Sequence, residues 1–452
     1  MEIRDRVRHE GHWVIRWAFG LAFLSLLVPA VCQATNGLNL IGSGGISSAL
    51  AGADTAVAND FSAMNTNPAG LAQISGTHAG FSVSMLKAEL RLRNSLNDKD
   101  GENDPVVIPN MGLVRHISGT PVTLGVGFFT VGGTTSDFRD LRVPNFGPGG
   151  IFGGTTDKQG IQLRHYKLTP TIAYQVTDAL SVGATLAVSY VDVSLTFVPN
   201  TPGAPGQAFG FETTGKCNRA NGLAFPPTSC GYDVGFTPKF GAMYKVNDMV
   251  TIGVAYTMPT PFTFDHGQIS KSYLACGGCR STFDYKAFGF KWAQDVAAGV
   301  AVRPTPHLLI AAKFQWINWD GALNNVVVQL TNGNNPAAPP TDSFVLNYNW
   351  RDQYVAAVGI SYDVTDDFTV RGGYNFGNNP VPKTTLDPTN ANIVEHHIVG
   401  ALAYRLTKAL LVETFSTYGI RKQETFNSQL FGNNTTLEVG GYEVGITLTY
   451  RD

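Results

Sequence analysis

What this 452-residue chain lacks narrows its class before any motif is considered. Past the first 34 residues it has no run of the roughly 20 apolar residues that a membrane-spanning helix requires. A helical membrane protein is therefore not expected. Charged residues make up only 15% of the chain and the formal net charge is -2, so the basic surplus that phosphate contacts demand is missing and nucleic acid is not an expected partner. Serine has no G-x-S-x-G elbow, and His396-His397 beside Glu395 lacks zinc-site spacing. Gly42-Ser43-Gly44-Gly45 has neither the lysine nor the preceding strand of a phosphate loop. No catalytic residue, metal or cofactor is expected, and the chain is read as a non-enzyme.

Cysteine is scarce, with five in all. The first residues carry Arg4, Arg6, Arg8 and Arg16, then an apolar run from Ala18 to Val28, then Pro29 and small residues up to Ala34. That order predicts a secretory signal over 1–34, cleaved after Ala34, with lipidation at Cys32 as the competing reading. Four cysteines then remain in an exported chain, Cys217, Cys230, Cys276 and Cys279, and an even count there favours disulfides. The Cys276-Gly277-Gly278-Cys279 spacing also suits a metal or redox pair, although no histidine cluster or thioredoxin-like context accompanies it.

What is present, from His78 onward, is alternation. Tyr442, Val444, Ile446, Leu448 and Tyr450 share one parity, while Gly441, Glu443, Gly445, Thr447 and Thr449 share the other. One face is apolar with an aromatic at each end, as lipid and its two interfaces require; the other is small and polar, as a lumen requires. The runs 306–319 and 249–263 repeat the pattern. Such runs fall at 78–91, 106–117, 121–132, 161–176, 179–197, 231–245, 249–263, 290–303, 306–319, 345–363, 367–377, 392–405, 409–424 and 436–450. About fourteen antiparallel strands result, joined alternately by short turns and by longer loops rich in Gly, Pro and Asn. That asymmetry is the mark of an outer-membrane β-barrel, spanning 78–452, and a soluble β-sandwich gives no reason for it.

Ahead of the first strand, 35–77 is apolar enough to pack yet shows no strand alternation. Leu40, Ile41, Ile46, Leu50, Ala53, Val57 and Phe61 are spaced by glycine, serine and alanine, while Asp54, Asn59 and Asp60 offer acceptors to a polar wall. Pro68 has no amide hydrogen and holds Asn67 extended, so Asn67-Pro68-Ala69-Gly70 predicts a rigid elbow. A compact segment before a barrel is expected to lie inside it, as a plug or hatch.

Through Ser43-Gly44-Gly45, Ser48-Ala49-Leu50-Ala51-Gly52-Ala53, Asn59-Asp60, Asn67-Pro68-Ala69 and Pro109-Asn110-Met111, the chain resembles the FadL/TodX family of outer-membrane transporters for hydrophobic compounds. The resemblance implies a monomeric fourteen-stranded barrel in the outer membrane, in contact with its lipid and lipopolysaccharide. It also implies a hatch element at Asn67, Pro68 and Ala69, and a kinked third strand that releases ligand sideways into the membrane. The residues permit such a kink: the third run holds Gly125, Gly127, Gly132 and Gly133 and breaks parity at Phe128-Phe129, and glycine inside a strand commonly marks a bulge. The expectation places the elbow against this strand. An apolar route suits a greasy ligand, since burial accumulates at about 25 cal/mol per Å².

Two long loops carry unusual apolar content around the cysteines: Phe209, Phe211 and Phe225 in one, Phe262, Phe264 and Leu274 in the other. They are candidates for first capture of ligand, braced by disulfides. Candidate lumen cations are Lys167, Lys239, Lys313, Arg351 and Arg371. Fatty-acid transporters of the family place a basic residue toward the outer end of the fifth strand, but Ser189–Ser194 here has none. The expected cargo is thus an aromatic or aliphatic hydrocarbon, with long-chain fatty acids next. A general diffusion porin for small hydrophilic solutes is the alternative function.

Overall fold

The computed structural model describes residues 35–143, 156–214, 231–428 and 430–452. The expected signal at 1–34, and Cys217, Phe225 and Cys230, lie outside the described residues. Fourteen strands build the wall: β1 (Thr77–Arg93), β2 (Val106–His116), β3 (Val122–Arg142), β4 (Thr156–Leu168, continued by Thr171–Gln175), β5 (Leu180–Phe197), β6 (Gly231–Lys245) and β7 (Val250–Thr257), then β8 (Asp295–Thr305), β9 (Leu308–Ile317), β10 (Gln353–Asp363), β11 (Phe368–Gly377), β12 (His396–Arg405), β13 (Leu410–Ser428) and β14 (Gly432–Arg451). Each pairs antiparallel with the next, and β14 pairs with β1 from Thr436↔Arg93 to Arg451↔His78, so the ring closes. Closure removes both sheet edges, the condition for a sheet to stand in lipid.

The expected parity is present. On β14, Ile446 is 43% and Leu448 42% exposed on the outer face, whereas Thr447 is fully buried toward the lumen. Phe314, Ile310 and Val254 continue the outer apolar band on other strands. The connections alternate as expected with one exception. A loop was expected between 424 and 436, but β13 and β14 extend as a hairpin to Ser428 and Gly432.

Three expected strands also need correction: the run at 249–263 divides into β7 and a separate strand, Thr260–Phe264. The wall strand expected at 290–303 is β8, and the residues before it belong to a separate strand, Cys279–Trp292, which pairs with the strands Thr260–Phe264, Gln268–Tyr273 and Asn325–Thr331. The run at 345–363 likewise divides into Asp342–Asn347 and β10. These pieces alternate as wall strands do because they too have an apolar interior on one side. They form a second storey of sheet above the loop end of the barrel.

Residues 35–76 lie within the ring and touch it on all sides. The backbone N–H of Gly45 donates to Thr447 Oγ1 on β14 (3.0 Å), and Thr185 Oγ1 on β5 donates to the Met64 carbonyl (3.0 Å). On the opposite side Asn375 of β11 donates through Nδ2 to the Ala51 carbonyl (3.0 Å), and Lys313 of β9 approaches Asp54 at 3.4 Å. Phe61 stacks on Phe129 of β3, with ring centroids 6.0 Å apart. Ile41, Leu50, Ala53, Val57 and Phe61 are all buried. The segment contains two two-residue strands paired with each other, Thr35–Asn36 and Asn39–Leu40, a five-residue helix, Gly45–Ala49, and two 3-10 turns, Phe61–Met64 and Pro68–Gln73. Its frequent glycines and alanines let backbone meet backbone at the wall.

Candidate functional site

The wall is interrupted beside β3, and the interruption begins with Pro109. Residues of β2 pair with β3 only as far as Asn110↔Phe129. Pro109 directs its backbone toward β3, since its carbonyl accepts from Thr130 Oγ1 (2.9 Å), but it has no N–H to continue the ladder. Thr130 instead donates its N–H to the Asn110 side chain (3.0 Å). Beyond this point β3 stays with β4 through a register shift between Thr130 and Gly132, and it regains a neighbour on the β2 side where Glu102 N–H meets the Asp137 carbonyl at 2.6 Å. A gap therefore opens between the outer half of β2 and the bulged stretch of β3. A cavity of about 50 Å³ occupies it, lined by Val106, Ile108, Gly132, Gly133, Leu163 and Leu40, with Arg164 and Tyr166 of β4 at its rim.

The N-terminal segment forms the inner sill of this opening. Asn39 pairs with Gly132, and Gly133 N–H donates to the Leu38 carbonyl (2.9 Å). A Cβ on residue 132 would stand 1.9 Å from that carbonyl oxygen, so only glycine allows the approach.

Inward of the gap lies an apolar chamber of about 80 Å³, enclosed by Leu38, Leu163, Phe264, Phe290, Val328 and Trp350 among others. It shares Thr134 and Leu163 with the gap. Outward of the chamber is a larger cavity of about 590 Å³ at the loop end, lined by Phe197, Phe209, Leu346, Tyr348, Leu386 and Phe431. Leu195, Leu346, Tyr348 and Thr389 face both. Three cavities thus run in series from the outer mouth, through an apolar chamber, to a gap in the side of the wall.

The loops that frame the outer cavity are fixed by polar contacts. Lys271 is fully buried; its ammonium donates to Asp342 (2.7 Å) and to the Gln207 carbonyl (2.8 Å), while Tyr273 Oη donates to the same carboxylate (3.0 Å). Asp387, in the loop between β11 and β12, accepts from Thr389 N–H and Oγ1, both at 2.6 Å. Burial pushes the Asp387 carboxyl above its ordinary range against these hydrogen bonds, and burial also raises the Tyr348 phenol.

A fourth cavity, of about 90 Å³, is polar and sits between the N-terminal segment and β7–β9, with Lys167, Lys239, Lys313, Asp54 and Asp295 on its walls. It meets the apolar series at Leu40, which also lines the gap, but its own walls are largely polar and charged. Of the expected lumen cations, Lys239 donates to Thr257 (2.8 Å), Lys313 pairs with Asp54, and Arg371 forms an ion pair with Glu413. Arg351 is a correction: it stands exposed in the loop before β10, where its backbone N–H meets the Pro380 carbonyl (2.8 Å).

The elbow also needs correction. Asn67 caps the turn Pro68–Gln73, its Oδ1 accepting from Ala69 N–H (3.2 Å), and its Nδ2 donates to the Thr55 (2.7 Å) and Ala242 (3.3 Å) carbonyls. Asn67 and Pro68 lie against Gly183 of β5 and Gly241 of β6, and Gly70 packs on Ala58. None of these faces β3. What faces Gly125 and Gly127 is Met64, joined at Gly125 by Leu71; Phe129 meets Phe61, while Phe128 points outward and stacks on Tyr166 at 5.6 Å. Sequence parity could not rank these contacts, because Gly125, Gly127, Gly183 and Gly241 all allow a close approach to the wall and the pattern does not say which part of the segment makes it.

The loop aromatics divide by depth. Phe209 lines the outer cavity, but Phe211 and Phe264 are buried in the chamber wall, and Phe262 is buried beside His165. They are not a solvent-facing pad, because the upper storey of sheet encloses them. Leu274 is half-buried in the turn Leu274–Cys276. Cys276 and Cys279 are disulfide-bonded, with Cα atoms 5.5 Å apart. Only two residues lie between them, so this bond fixes one turn and braces no pad. Asn392, Tyr285 and Val328 of the chamber escaped sequence reading, although Val326-Val327-Val328 between asparagine-rich turns is a legible strand signal.

The comparisons agree with this architecture. Residues 22–451 match the family model described as outer membrane protein transport protein (OmpP1/FadL/TodX). The toluene transporter TodX of Pseudomonas putida is a structural neighbour with a TM-score of 0.73 at 17% identity, covering 92% of this chain and 99% of its own. The Ralstonia pickettii toluene transporter TbuX gives 0.69 at 20% identity, covering 91% and 99%, and a Pseudomonas aeruginosa FadL homologue gives 0.67 at 16%, covering 94% and 99%. No curated protein matches. With a closed fourteen-strand ring and a family match over nearly its whole length, this chain belongs to the OmpP1/FadL/TodX family of outer-membrane transport proteins.

Proposed function

We propose that the protein takes up hydrophobic compounds, gathering them in the outer cavity, holding them in the apolar chamber and releasing them sideways into the membrane through the gap beside β3. The observation that carries this reading is the serial overlap of three cavities ending at an opening in the wall and not at the turn end of the barrel. The physical case is that a ligand on this path stays in apolar contact throughout. Transfer from water to the chamber is favoured by about 25 cal/mol per Å² of apolar surface, and exit into lipid gives up little of it. Straight passage to the periplasm would return the ligand to water past residues 35–76, which bond to the wall all round. The same filling disfavours a general diffusion pore. The N-terminal segment then acts as a hatch, and the barrel works as a monomer among outer-membrane lipid and lipopolysaccharide. The neighbours described as toluene transporters support a hydrocarbon-like cargo.

The test is uptake of radiolabelled toluene and oleate in a transporter-null host expressing wild type, Ile108→Trp or no transporter. Ile108 lines the gap, so an indole there narrows the exit. Wild type is expected to take up at least one compound above the empty host, and the tryptophan variant to lose most of that uptake, about tenfold, with its barrel intact. Equal uptake in wild type and empty host would sink the transport reading; full uptake through a narrowed gap would sink lateral release.

A further inference from the structure

The polar cavity between the N-terminal segment and the wall differs in chemistry from the apolar chamber, since charged side chains line the first and none lines the second. Its ammoniums are Lys167 of β4, Lys239 of β6 and Lys313 of β9; its carboxylates are Asp54 of the segment and Asp295 of β8. Three positive charges against two negative leave one in excess on these walls.

The partners of these groups show where the excess lies. Asp54 accepts from Ser47 Oγ through one oxygen (2.5 Å) and faces Lys313 through the other (3.4 Å). Asp295 accepts from Gln315 Nε2 (2.9 Å) and has no cation within ion-pair distance among the described residues. Lys239 donates to a neutral group, the Thr257 hydroxyl (2.8 Å). Lys167 is 5% exposed, and among the described residues its ammonium has neither a hydrogen bond nor an ion pair. Buried charges are normally paired, because an unpaired one loses its water for nothing. The Lys167 ammonium is nevertheless reachable from the cavity it lines, whereas both unpaired ring nitrogens of the adjacent His165 are sealed off. Water solvates an ammonium, but only an anion cancels the excess charge. A volume of about 90 Å³ admits several waters or one small oxyanion.

We infer that this cavity binds one small inorganic anion of the phosphate type, held by the ammoniums of Lys167 and Lys239, with Lys313 contributing from its place beside Asp54. Lysine suits the role, being a compact point charge that meets such anions without a fixed fork geometry. Gly52 leaves the third side open, a Cβ there standing 3.4 Å from Lys313 Nζ. The anion is a free one and not the head group of a cargo. A carboxylate travelling through the apolar chamber would shed its water with no charged side chain to replace it. Segment residues, among them Gly42, Ser43, Thr55 and Asn65, form half of the lining, so the anion lies in the joint between segment and barrel. This inference stands apart from the transport reading.

The test is equilibrium binding of radiolabelled phosphate to the full protein in nanodiscs of zwitterionic lipid at low salt, with binding to protein-free discs subtracted. Wild type is expected to bind one equivalent saturably. Lys167→Met and Lys239→Met should each weaken binding about tenfold or more, the scale of one charge-assisted hydrogen bond. Asp295→Asn should move the affinity the other way, tightening it severalfold, because a negative charge leaves the wall. General loosening of the barrel does not tighten binding, so this arm decides the matter even where a lysine variant fails to fold. Acetate and decanoate are run as competitors, and equal, weak displacement by both is expected. Displacement by decanoate at far lower concentration than by acetate would make the site a head-group pocket for cargo and overturn the free-anion assignment. Absence of saturable phosphate binding, or an affinity that neither Lys167→Met nor Asp295→Asn moves, would overturn the site itself.

Discussion

Asn67 uses one short side chain to close a turn of its own backbone and to hold two carbonyls, one in the N-terminal segment and one in β6. Buried at 0% exposure, it leaves those carbonyls without water if it is removed. Asn67→Ala therefore costs about 1–3 kcal/mol in the segment, the range for stranding buried polar groups. The expected outcome is a tenfold or greater loss of amide hydrogen-exchange protection at Ala69 and Gly70, with wall amides unchanged. Undiminished protection would show that the cap is dispensable. The sequence marked Asn67-Pro68-Ala69 as rigid for a sound reason, the missing amide of Pro68, but its neighbours could not be read the same way. A glycine on a wall strand announces a close approach without naming what approaches, and β5 and β6 offer Gly183 and Gly241 as readily as β3 offers its own.

At the scale of elements, legibility follows environment. The wall strands were legible because lipid on one side and polar lumen on the other impose a period of two over ten residues. The upper storey imposes the same period with a different interior, the apolar chamber, so in sequence its strands run on from those of the wall and the divisions within 249–263, 290–303 and 345–363 carry no mark. The contact that locks this storey was invisible for another reason: Lys271 and Asp342 lie 71 residues apart and resemble any two surface charges. Buried as they are, the pair is asymmetric in its effects. Asp342→Ala leaves an ammonium without its counter-charge and should destabilise the storey by about 3–5 kcal/mol, whereas Lys271→Met with Asp342→Leu should recover most of the loss. Chymotrypsin cleavage after Phe209, in the loop between β5 and the strand Phe211–Thr214, reports it, and unchanged cleavage in the single variant would contradict this account. The gap beside β3 is an element-scale property too. It needs a proline on β2, a bulge on β3 and a sill from Leu38, and the sequence displayed only the first two.

For the whole molecule, the ring and its contents are one object. Bonds from residues 35–76 reach β5, β6, β9, β11 and β14, so the lumen has no unoccupied sector among these contacts for a wide aqueous path. Planar-bilayer recordings of wild type are accordingly expected to show little steady conductance, and a variant lacking 43–70 to show a large one. High steady conductance in wild type would refute the sealed lumen.

One of those bonds bears on assembly. Thr447 accepts from Gly45 and donates to Ser82, so a single hydroxyl ties the last strand at once to the inner segment and to the first strand, across 402 and 365 residues of chain. Contacts of such separation carry the largest loop-closure penalty in the molecule, and their order of formation is constrained. The seam between β14 and β1 has to shut around a segment already in position, because an enclosed lumen offers no later entry for forty folded residues. The N-terminal segment is in this sense a dowel: strand number and stagger fix the diameter of the wall, and the segment is cut to fill it.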